Sequence, residues 1–348
     1  MKKTNIGGQG VLEGVMMRSP KVTAIAVRQE PGNIVTQKQE TSQLQKKYKI
    51  LGVPIIRGVV NFIEMLVLGV KTITDAAKLY DPELDEEEDI SKAEKFIAEK
   101  TGKKPLDVAI FFAVIIAVAL AVGMFFILPN LITGWVTPLL FGDVAEGAAL
   151  SPAMSIAKNL IDGLVRVVIF LVYMFAITSM KDVKRLFGYH GAEHKVINCF
   201  EHGQPLTVEH AMACSRFHPR CGTSFLLIVM VISILIFSVL GWSDVWYIRI
   251  LTRLALLPIV AGVSYEFLKL LGNANNKFVD ILRAPGMALQ RLSTREPDEG
   301  MVEVALVSFE IALDEKSKEE IDALITEYSR EAKEEIPPGD VQAAPKEA

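Results

Sequence analysis

Cysteine is scarce in this sequence, and its three cysteines lie close together, at Cys199, Cys214 and Cys221 among 348 residues. A secreted disulfide framework needs more cysteines with wider spacing, so the chain does not fit that class. The first residues lack the apolar run of a cleaved signal peptide, since Lys2 and Lys3 lead into polar residues and glycines. Neither sign of charge dominates, because the net charge is -4, and no nucleic-acid partner is expected.

Apolar residues, by contrast, are abundant and segregated from the charged ones. They make up 51% of the chain, while charged residues still reach 22%. Four long segments are typical of membrane spans, because a bilayer crossing requires about 20 apolar residues. These segments are residues 106–128, 163–180, 223–242 and 250–271. The sequence therefore predicts a multi-pass membrane protein, with the lipid bilayer as its first partner.

Basic residues predict how the chain is oriented in that membrane. Three lysines in residues 100–104 precede the first span, and six basic residues lie between the second and third spans. Residues 129–162, predicted as a loop between the first and second spans, have only Lys158. By the positive-inside rule, both termini and the segment 181–222 are expected in the cytoplasm. Arg249 and Arg253, at the outer end of the fourth span, oppose this assignment.

Arg166 lies near one end of the second span. Its side chain is expected to snorkel, with its charged group reaching the membrane surface.

Residues 1–50 are predicted to form a small soluble part that contains β-structure. The runs 22–28 and 33–40 flank Pro31-Gly32, a pattern that predicts a β-hairpin. The glycine-rich run at residues 7–10, with Gly14, is expected to form tight turns, and a backbone anion nest is the alternative.

Residues 51–80 are predicted to contain one amphipathic or membrane-associated helix, from Pro54 to Tyr80. Six polar residues share one of its faces, and the remaining surface is almost wholly apolar. The helix either lies at the membrane surface or turns this polar stripe toward the inside of the bundle. The stripe consists of Arg57, Asn61, Glu64, Lys71, Asp75 and Lys78.

The remaining boundaries follow from composition. Residues 81–105 are an acidic linker, with seven acidic residues in positions 81–89. Residues 106–292 are the membrane domain with a His/Cys loop at 181–222, residues 293–335 are soluble helices, and residues 336–348 are a disordered tail. The predicted fold is mainly α: a polytopic membrane helical bundle with about four transmembrane helices, one amphipathic helix, a small N-terminal β-containing part and a C-terminal helical extension.

The histidines are confined to the same stretch as the cysteines. Five histidines and three cysteines, the complete set of both types, fall within the 32 positions from His190 to Cys221. Imidazole and thiolate are ligands suited to zinc or iron. The cluster therefore predicts a divalent transition-metal site, with zinc as the first candidate.

The first half of this cluster is His190-Gly191-Ala192-Glu193-His194, an H-x-x-E-H pattern found in a class of zinc peptidases. On a helix, positions i and i+4 place both imidazoles on one face, where they can share a cation. Glu193 lies one turn from His190 and is the candidate catalytic residue, acting as general base on water at the ion.

The second half is His218-Pro219-Arg220-Cys221, which resembles a ligand knuckle. The predicted metal ligands are then His190, His194, His218 and Cys221. Four protein ligands would close a structural site, whereas three would leave a position open for chemistry, and the spacing does not choose between them. Cys199, Glu201 and His202 are reserve ligands, and Glu266, near the inner end of the fourth span, is a possible addition. His210 and Cys214 are left out of the site.

Four motifs resemble those of the DUF1385 family, the YqhQ-like bacterial membrane proteins. They are residues 7–18, which include Gly7-Gly8-Gln9 and Glu13-Gly14-Val15-Met16-Met17-Arg18; residues 189–201; His218-Pro219-Arg220-Cys221-Gly222-Thr223-Ser224; and Thr294-Arg295-Glu296-Pro297-Asp298. The resemblance covers about residues 5–312 and implies a predicted metal-dependent enzyme. Position 10 is glycine where alanine is usual, and position 200 is phenylalanine where tyrosine is common.

Two functions compete. The first is a zinc-dependent hydrolase at the cytoplasmic membrane face, acting on a membrane protein or a lipid-linked group, with Glu13, Arg18 and Arg220 binding substrate or holding the site together. The second is a non-enzymatic scaffold or assembly factor whose metal only fixes the loop. A transporter is a third possibility, but no pair of broken spans suggests inverted repeats.

Overall fold

A computed structural model describes residues 4–30, 32–41, 48–85, 100, 105–142, 151–243, 245–273 and 276–329. The strands are β1 (Gly7–Val11), β2 (Gly14–Arg18), β3 (Val22–Arg28) and β4 (Ile34–Glu40). The helices are α1 (Ile56–Tyr80), α2 (Pro105–Val122), α3 (Leu128–Phe141), α4 (Pro152–Ile177), α5 (Lys181–Glu201), α6 (Val208–Ala213), α7 (Gly222–Val239), α8 (Trp246–Asn273), α9 (Lys277–Ser293), α10 (Glu299–Leu313) and α11 (Lys318–Tyr328).

The N-terminal strands form one antiparallel meander in the order β1-β2-β3-β4. The predicted hairpin is present as β3 and β4, with Arg28 opposite Ile34. The glycine-rich run is strand β1 and does not form tight turns or a nest, so that expectation was wrong. A Cβ atom on Gly10 would lie 2.5 Å from the Leu186 carbonyl oxygen and 2.9 Å from the His190 nitrogen. Glycine is needed here because the strand lies directly on helix α5.

Helices α5 and α10 pack with the sheet around one apolar core. Val15 and Ala24 of the sheet, Tyr189 of α5, and Val302 and Leu306 of α10 belong to the same buried cluster. Helix α10 is buried along almost its whole length. The core therefore unites segments from the N-terminus, the middle and the C-terminus of the chain. The segment predicted as a His/Cys loop is largely helical, because it contains α5 and α6.

Four helical stretches of the described residues are long and apolar enough to cross a membrane. They are Asp107–Phe141, Pro152–Ile177, Gly222–Val239 and Trp246–Leu271. The first is longer than predicted, because a π-helical turn at Gly123–Ile127 carries the chain on into α3. Helix α4 likewise begins earlier than expected, at Pro152. Most of residues 129–162, predicted as a loop, are thus helical. Pro152 stands in the first turn of α4, where a missing N–H costs little.

Helix α1 directs its polar stripe toward the rest of the protein. Arg57 forms a bidentate ion pair with Glu266 of α8, and Glu64 lies 3.8 Å from Arg18 of β2. Asp75 accepts a hydrogen bond from Gln39 of β4 at 3.0 Å. The opposite face is apolar and exposed, at Ile63, Leu66, Val67, Val70 and Ile73. The polar stripe of this helix therefore contacts the rest of the protein, and the apolar face is exposed; a location at the membrane surface stays a prediction.

A buried ion network joins α4 to α8. Asp162 Oδ2 lies 2.9 Å from Arg166 Nη2 and 2.8 Å from Arg253 Nη1. Arg166 is buried, and it also donates to the Phe125 carbonyl oxygen. The expectation that it snorkels was wrong, because the carboxylate of Asp162 and a backbone carbonyl satisfy it inside the bundle.

The C-terminal helices have the predicted order. Asp298 caps α10 by accepting from the Met301 N–H, and Ser317 with Glu320 forms a capping box at α11. The acidic linker at residues 86–99 and 101–104, and the tail from residue 330 onward, lie outside the described residues.

Candidate metal centre

Helix α5 places His190, Glu193 and His194 on one side, as the helical spacing predicts. The Nε2 atoms of both histidines lie 3.7 Å from Glu193 Oε2. Close packing of β1 on one side, and of residues 294–297 on another, holds this face of α5. A Cβ atom on Gly191 would lie 2.1 Å from the Arg295 carbonyl oxygen, so only glycine permits this approach.

Backbone carbonyl groups fix the orientation of the two imidazoles. His190 Nδ1 lies 2.8 Å from the Ser293 carbonyl oxygen, and His194 Nδ1 lies 2.5 Å from that of Arg216. A carbonyl accepts only, so each Nδ1 carries the proton and donates it, which leaves each Nε2 with a free lone pair. Histidines that bind metals are commonly oriented by this type of hydrogen bond.

Cys221 completes a group of three potential ligands. Its Sγ atom lies 3.3 Å from His190 Nε2, and the residue caps the N-terminus of α7. The ligand atoms of His190, His194 and Cys221 all lie within 4.8 Å of one another. His194 and Cys221 are buried, and the side chain of His190 is 13% exposed. Tetrahedral zinc with bonds of about 2.0–2.3 Å places its ligand atoms about 3.5 Å apart, so these residues fit such an ion.

Glu193 is the fourth group at this centre. Its side chain is buried, its Oε2 has no hydrogen-bond partner among the described residues, and the Gly8 N–H donates to the carboxylate. Burial raises the pKa of Glu193 from 4.5 to about 7. A buried carboxylate oxygen without a partner, directed at two imidazoles, is the arrangement that a cation or a water molecule would satisfy.

His218 lies beside this group but faces another partner. Its Nε2 lies 3.4 Å from Glu201 Oε2, and its Nδ1 accepts from the Arg220 N–H at 3.4 Å. Burial lowers the pKa of His218 to about 4, so the ring is neutral at pH 7. Its ring centre is 5.8 Å from that of His194. The predicted four-ligand set is therefore brought together only in part, with His218 turned away from the other three.

Glu201, a reserve ligand, is occupied by other contacts. Burial alone would raise its pKa, but hydrogen bonds from the Thr4 N–H and from Arg220 outweigh burial and lower it. Arg220 also donates to the Thr4 carbonyl oxygen at 2.6 Å. Glu201 and Arg220 thus fasten the N-terminal segment beside the centre.

The other candidate residues are spread more widely. Cys199 donates to the Pro205 carbonyl oxygen in the apolar core, and burial raises the pKa of its thiol to about 12. Glu266 is paired with Arg57. Glu13 accepts from Arg185 and from the Tyr189 hydroxyl group, which joins the β1–β2 turn to α5.

His202, a reserve ligand, and His210, which was left out of the site, both have local partners. His202 is hydrogen-bonded to the Asn198 carbonyl oxygen and His210 to Thr207.

Three residues that support the centre were not predicted. Gln290 of α9 accepts from the His218 N–H at 2.9 Å and donates to the His218 carbonyl oxygen at 2.8 Å. Asn198 donates to the carbonyl oxygens of Ser215 and Phe217. Lys195 donates to those of Met212 and Cys214 and forms an ion pair with Glu296 at 2.6 Å. Lys195, Asn198 and Glu296 lie inside the family motifs, so the sequence offered a signal for them. Gln290 lies outside all four motifs, and the sequence offered no signal for it.

A cavity of about 380 Å³ adjoins the centre. Glu193, His194 and Cys221 line it, and so do Arg18 and Arg220. The centre therefore borders a space large enough for a ligand, and two arginines border the same space.

Replacing Glu193 with glutamine is expected to stabilise the metal-free protein at about pH 8.5 and to have little effect at about pH 5. The folded-state pKa of Glu193 is raised, so folding becomes less favourable as the pH rises from 4.5 through about 7. Glutamine does not ionise, so the gain should approach about 3 kcal/mol at most above that range. Unfolding in detergent with a chelator present would measure it. A difference between the two proteins that does not change with pH would contradict this expectation.

Comparison with known proteins agrees with the motifs. The family model described as "Protein of unknown function (DUF1385)" matches residues 53–315. The chain is 32% identical over 308 residues to "Uncharacterized protein YqhQ" of Bacillus subtilis (strain 168). The aligned region covers 87% of this chain and 90% of that protein. No solved structure matches the chain. A family match over most of the chain, together with a relative similar along nearly its whole length, shows that this protein belongs to the DUF1385 family.

Proposed function

We propose that this protein is a metal-dependent hydrolase at the membrane surface, on the side predicted to be cytoplasmic. The observation that carries the proposal is the group of His190, His194 and Cys221 beside the unpartnered Glu193 Oε2. Two nitrogens and one sulfur are a donor set suited to zinc, and three protein ligands leave a fourth position open, as in catalytic zinc sites. The adjoining cavity gives a substrate access to that position.

Each side chain has a distinct role in this proposal. A bound zinc ion supplies Lewis acidity and lowers the pKa of water. The Oε2 atom of Glu193 accepts a proton from the attacking water and later delivers it to the leaving group. The pKa of Glu193, about 7, is suitable for both transfers. Arg18 and Arg220 line the cavity and stabilise negative charge on the substrate.

Metal analysis of the purified full-length protein tests the proposal. Wild type and Glu193→Gln should each carry about one zinc ion per chain, whereas His194→Ala and Cys221→Ser should lose it. His210→Ala is the matched control, because His210 pairs with Thr207 on the surface and should not affect metal content. A folded wild-type protein that binds no transition metal would refute the hydrolase.

A structural metal site in a non-enzymatic scaffold is the alternative, and it requires a fourth protein ligand. His218 is the candidate, but its Nε2 faces Glu201. His218→Ala separates the two ideas: retained zinc supports three ligands and an open site, whereas lost zinc supports a closed structural site.

A further inference from the structure

A second and larger cavity lies next to the metal centre. It has a volume of about 820 Å³ and runs between α7, α8 and α9. Asn5 and Arg220 line this cavity and also the smaller one at the centre. The two spaces are therefore neighbours, separated by residues that belong to both.

The walls of this groove are apolar along most of its length. On α7 they include Leu227, Ile228, Val231 and Leu235, and the positions from 224 to 235 span about 16 Å of helix. Both α7 and α8 are candidate membrane spans. The groove thus lies at membrane depth and has the length and character that suit a lipid acyl chain.

The end of the groove nearest α9 carries positive charge. Arg220, Lys269 and Arg283 line it. Arg220 is paired with Glu201 and Arg283 with Asp280, but Lys269 forms no ion pair within the described part of the chain. Basic residues at the end of an apolar groove match a lipid with a phosphate at the head of its acyl chains.

Helix α9 has the character of an interfacial helix beside this opening. Phe278, Ile281 and Leu282 are exposed, whereas Gly286, Leu289 and Gln290 on other faces are buried. Exposed apolar residues on an amphipathic helix next to two spans favour contact with the membrane surface. A lipid can therefore enter the groove from the adjacent leaflet.

We propose that the groove binds one anionic phospholipid, with an acyl chain along α7 and the phosphate at Lys269 and Arg283, and that this lipid is the substrate class of the metal centre. This inference rests on the proposed hydrolase function. Arg220 borders both cavities, so the ester that links the acyl chain to the headgroup lies toward the centre.

The reaction is hydrolysis of this ester. Water adds its oxygen to the acyl carbon, the bond from that carbon to the alcohol oxygen breaks, and the alcohol oxygen takes a proton. A fatty acid and a lysophospholipid result, with no redox change.

Native mass spectrometry of the full-length protein, with dioleoyl phosphatidylglycerol or dioleoyl phosphatidylcholine added, tests binding. Wild type should retain one phosphatidylglycerol and bind phosphatidylcholine about tenfold more weakly. Ile228→Trp fills the groove and should weaken phosphatidylglycerol binding at least about tenfold, whereas Leu226→Trp, on an exposed part of the same helix, should not. Lys269→Gln should abolish the preference for phosphatidylglycerol. Equal retention by Ile228→Trp and wild type, or no preference between the two lipids, would overturn the inference.

Oleate release by the zinc-loaded protein separates this inference from the function on which it rests. Release by wild type that is lost in Glu193→Gln and strongly reduced in Ile228→Trp supports both. Groove-dependent binding without oleate release would reject this lipid as substrate and leave only the binding site. Undiminished release by Ile228→Trp would reject the groove and leave the hydrolase.

Discussion

Gly191→Ala is expected to destabilise the protein by roughly 2–4 kcal/mol, although alanine is the better helix former by about 1 kcal/mol. The reason is the close contact between α5 and residue 295: a Cβ atom on Gly191 would lie 2.1 Å from the Arg295 carbonyl oxygen. That oxygen belongs to the backbone and cannot rotate away as a flexible side chain could. Residues 293–296 would have to move away from α5.

The same displacement should weaken metal binding. Ser293 orients His190 through its carbonyl oxygen, and Glu296 holds Lys195. Loss of such supporting contacts commonly lowers metal affinity about 10- to 100-fold. Thermal unfolding in detergent and zinc titration would measure the two effects.

Gly69→Ala is the matched control for Gly191→Ala. Gly69 also lies inside a helix, α1, but a Cβ atom there would meet nothing within 4 Å. Alanine should stabilise this position by about 0.5–1 kcal/mol through helix propensity alone. If both variants were stabilised equally, the close packing of α5 against residue 295 would not exist in solution.

Asp162→Asn is expected to destabilise the protein by about 3–5 kcal/mol, the usual cost of removing one partner from a buried ion pair. Asp162 is buried and is within ion-pair distance of both Arg166 and Arg253. Asparagine keeps the size of the side chain but removes its charge, which leaves two guanidinium groups facing each other inside the bundle. Unfolding in detergent, and the yield of folded protein, would both report this loss.

Asp280→Asn provides the comparison for Asp162→Asn. Asp280 also lies close to an arginine, Arg283, at 3.7 Å, but 69% of its side chain is exposed. Water screens that pair, so its loss should change stability by less than about 1 kcal/mol. A replacement of Asp162, Arg166 and Arg253 together by apolar residues should recover much of the stability, because no charge is then left unpaired. Equal effects of Asp162→Asn and Asp280→Asn would refute the buried network.

Some of this architecture could be predicted because its signal is local. Membrane spans need only consecutive apolar residues, and the bundle of helices with a small antiparallel sheet was predicted correctly. Helical spacing placed His190, Glu193 and His194 on one side of α5. The β3–β4 hairpin depends on two short runs around Gly32.

Other predictions failed where distant segments decide the outcome. The glycine-rich run at residues 7–10 suggested turns, but it lies in strand β1, and α5, more than 170 positions away along the chain, packs directly against it. Arg166 suggested a snorkelling side chain, but Arg253 and Asp162 form a buried network with it. Residues 129–162 lack a continuous apolar run and were predicted as a loop, yet most are helical.

The sequence by itself determined which ligand types exist, that they cluster, and that α5 presents two of them, His190 and His194, on one side together with Glu193. Only the tertiary structure decided that Cys221 joins His190 and His194 while His218 turns to Glu201. The physical reason is that ligand spacing within a helix is set by local backbone geometry. Distances between segments, in contrast, depend on contacts such as the one between His190 and Ser293, which are 103 positions apart.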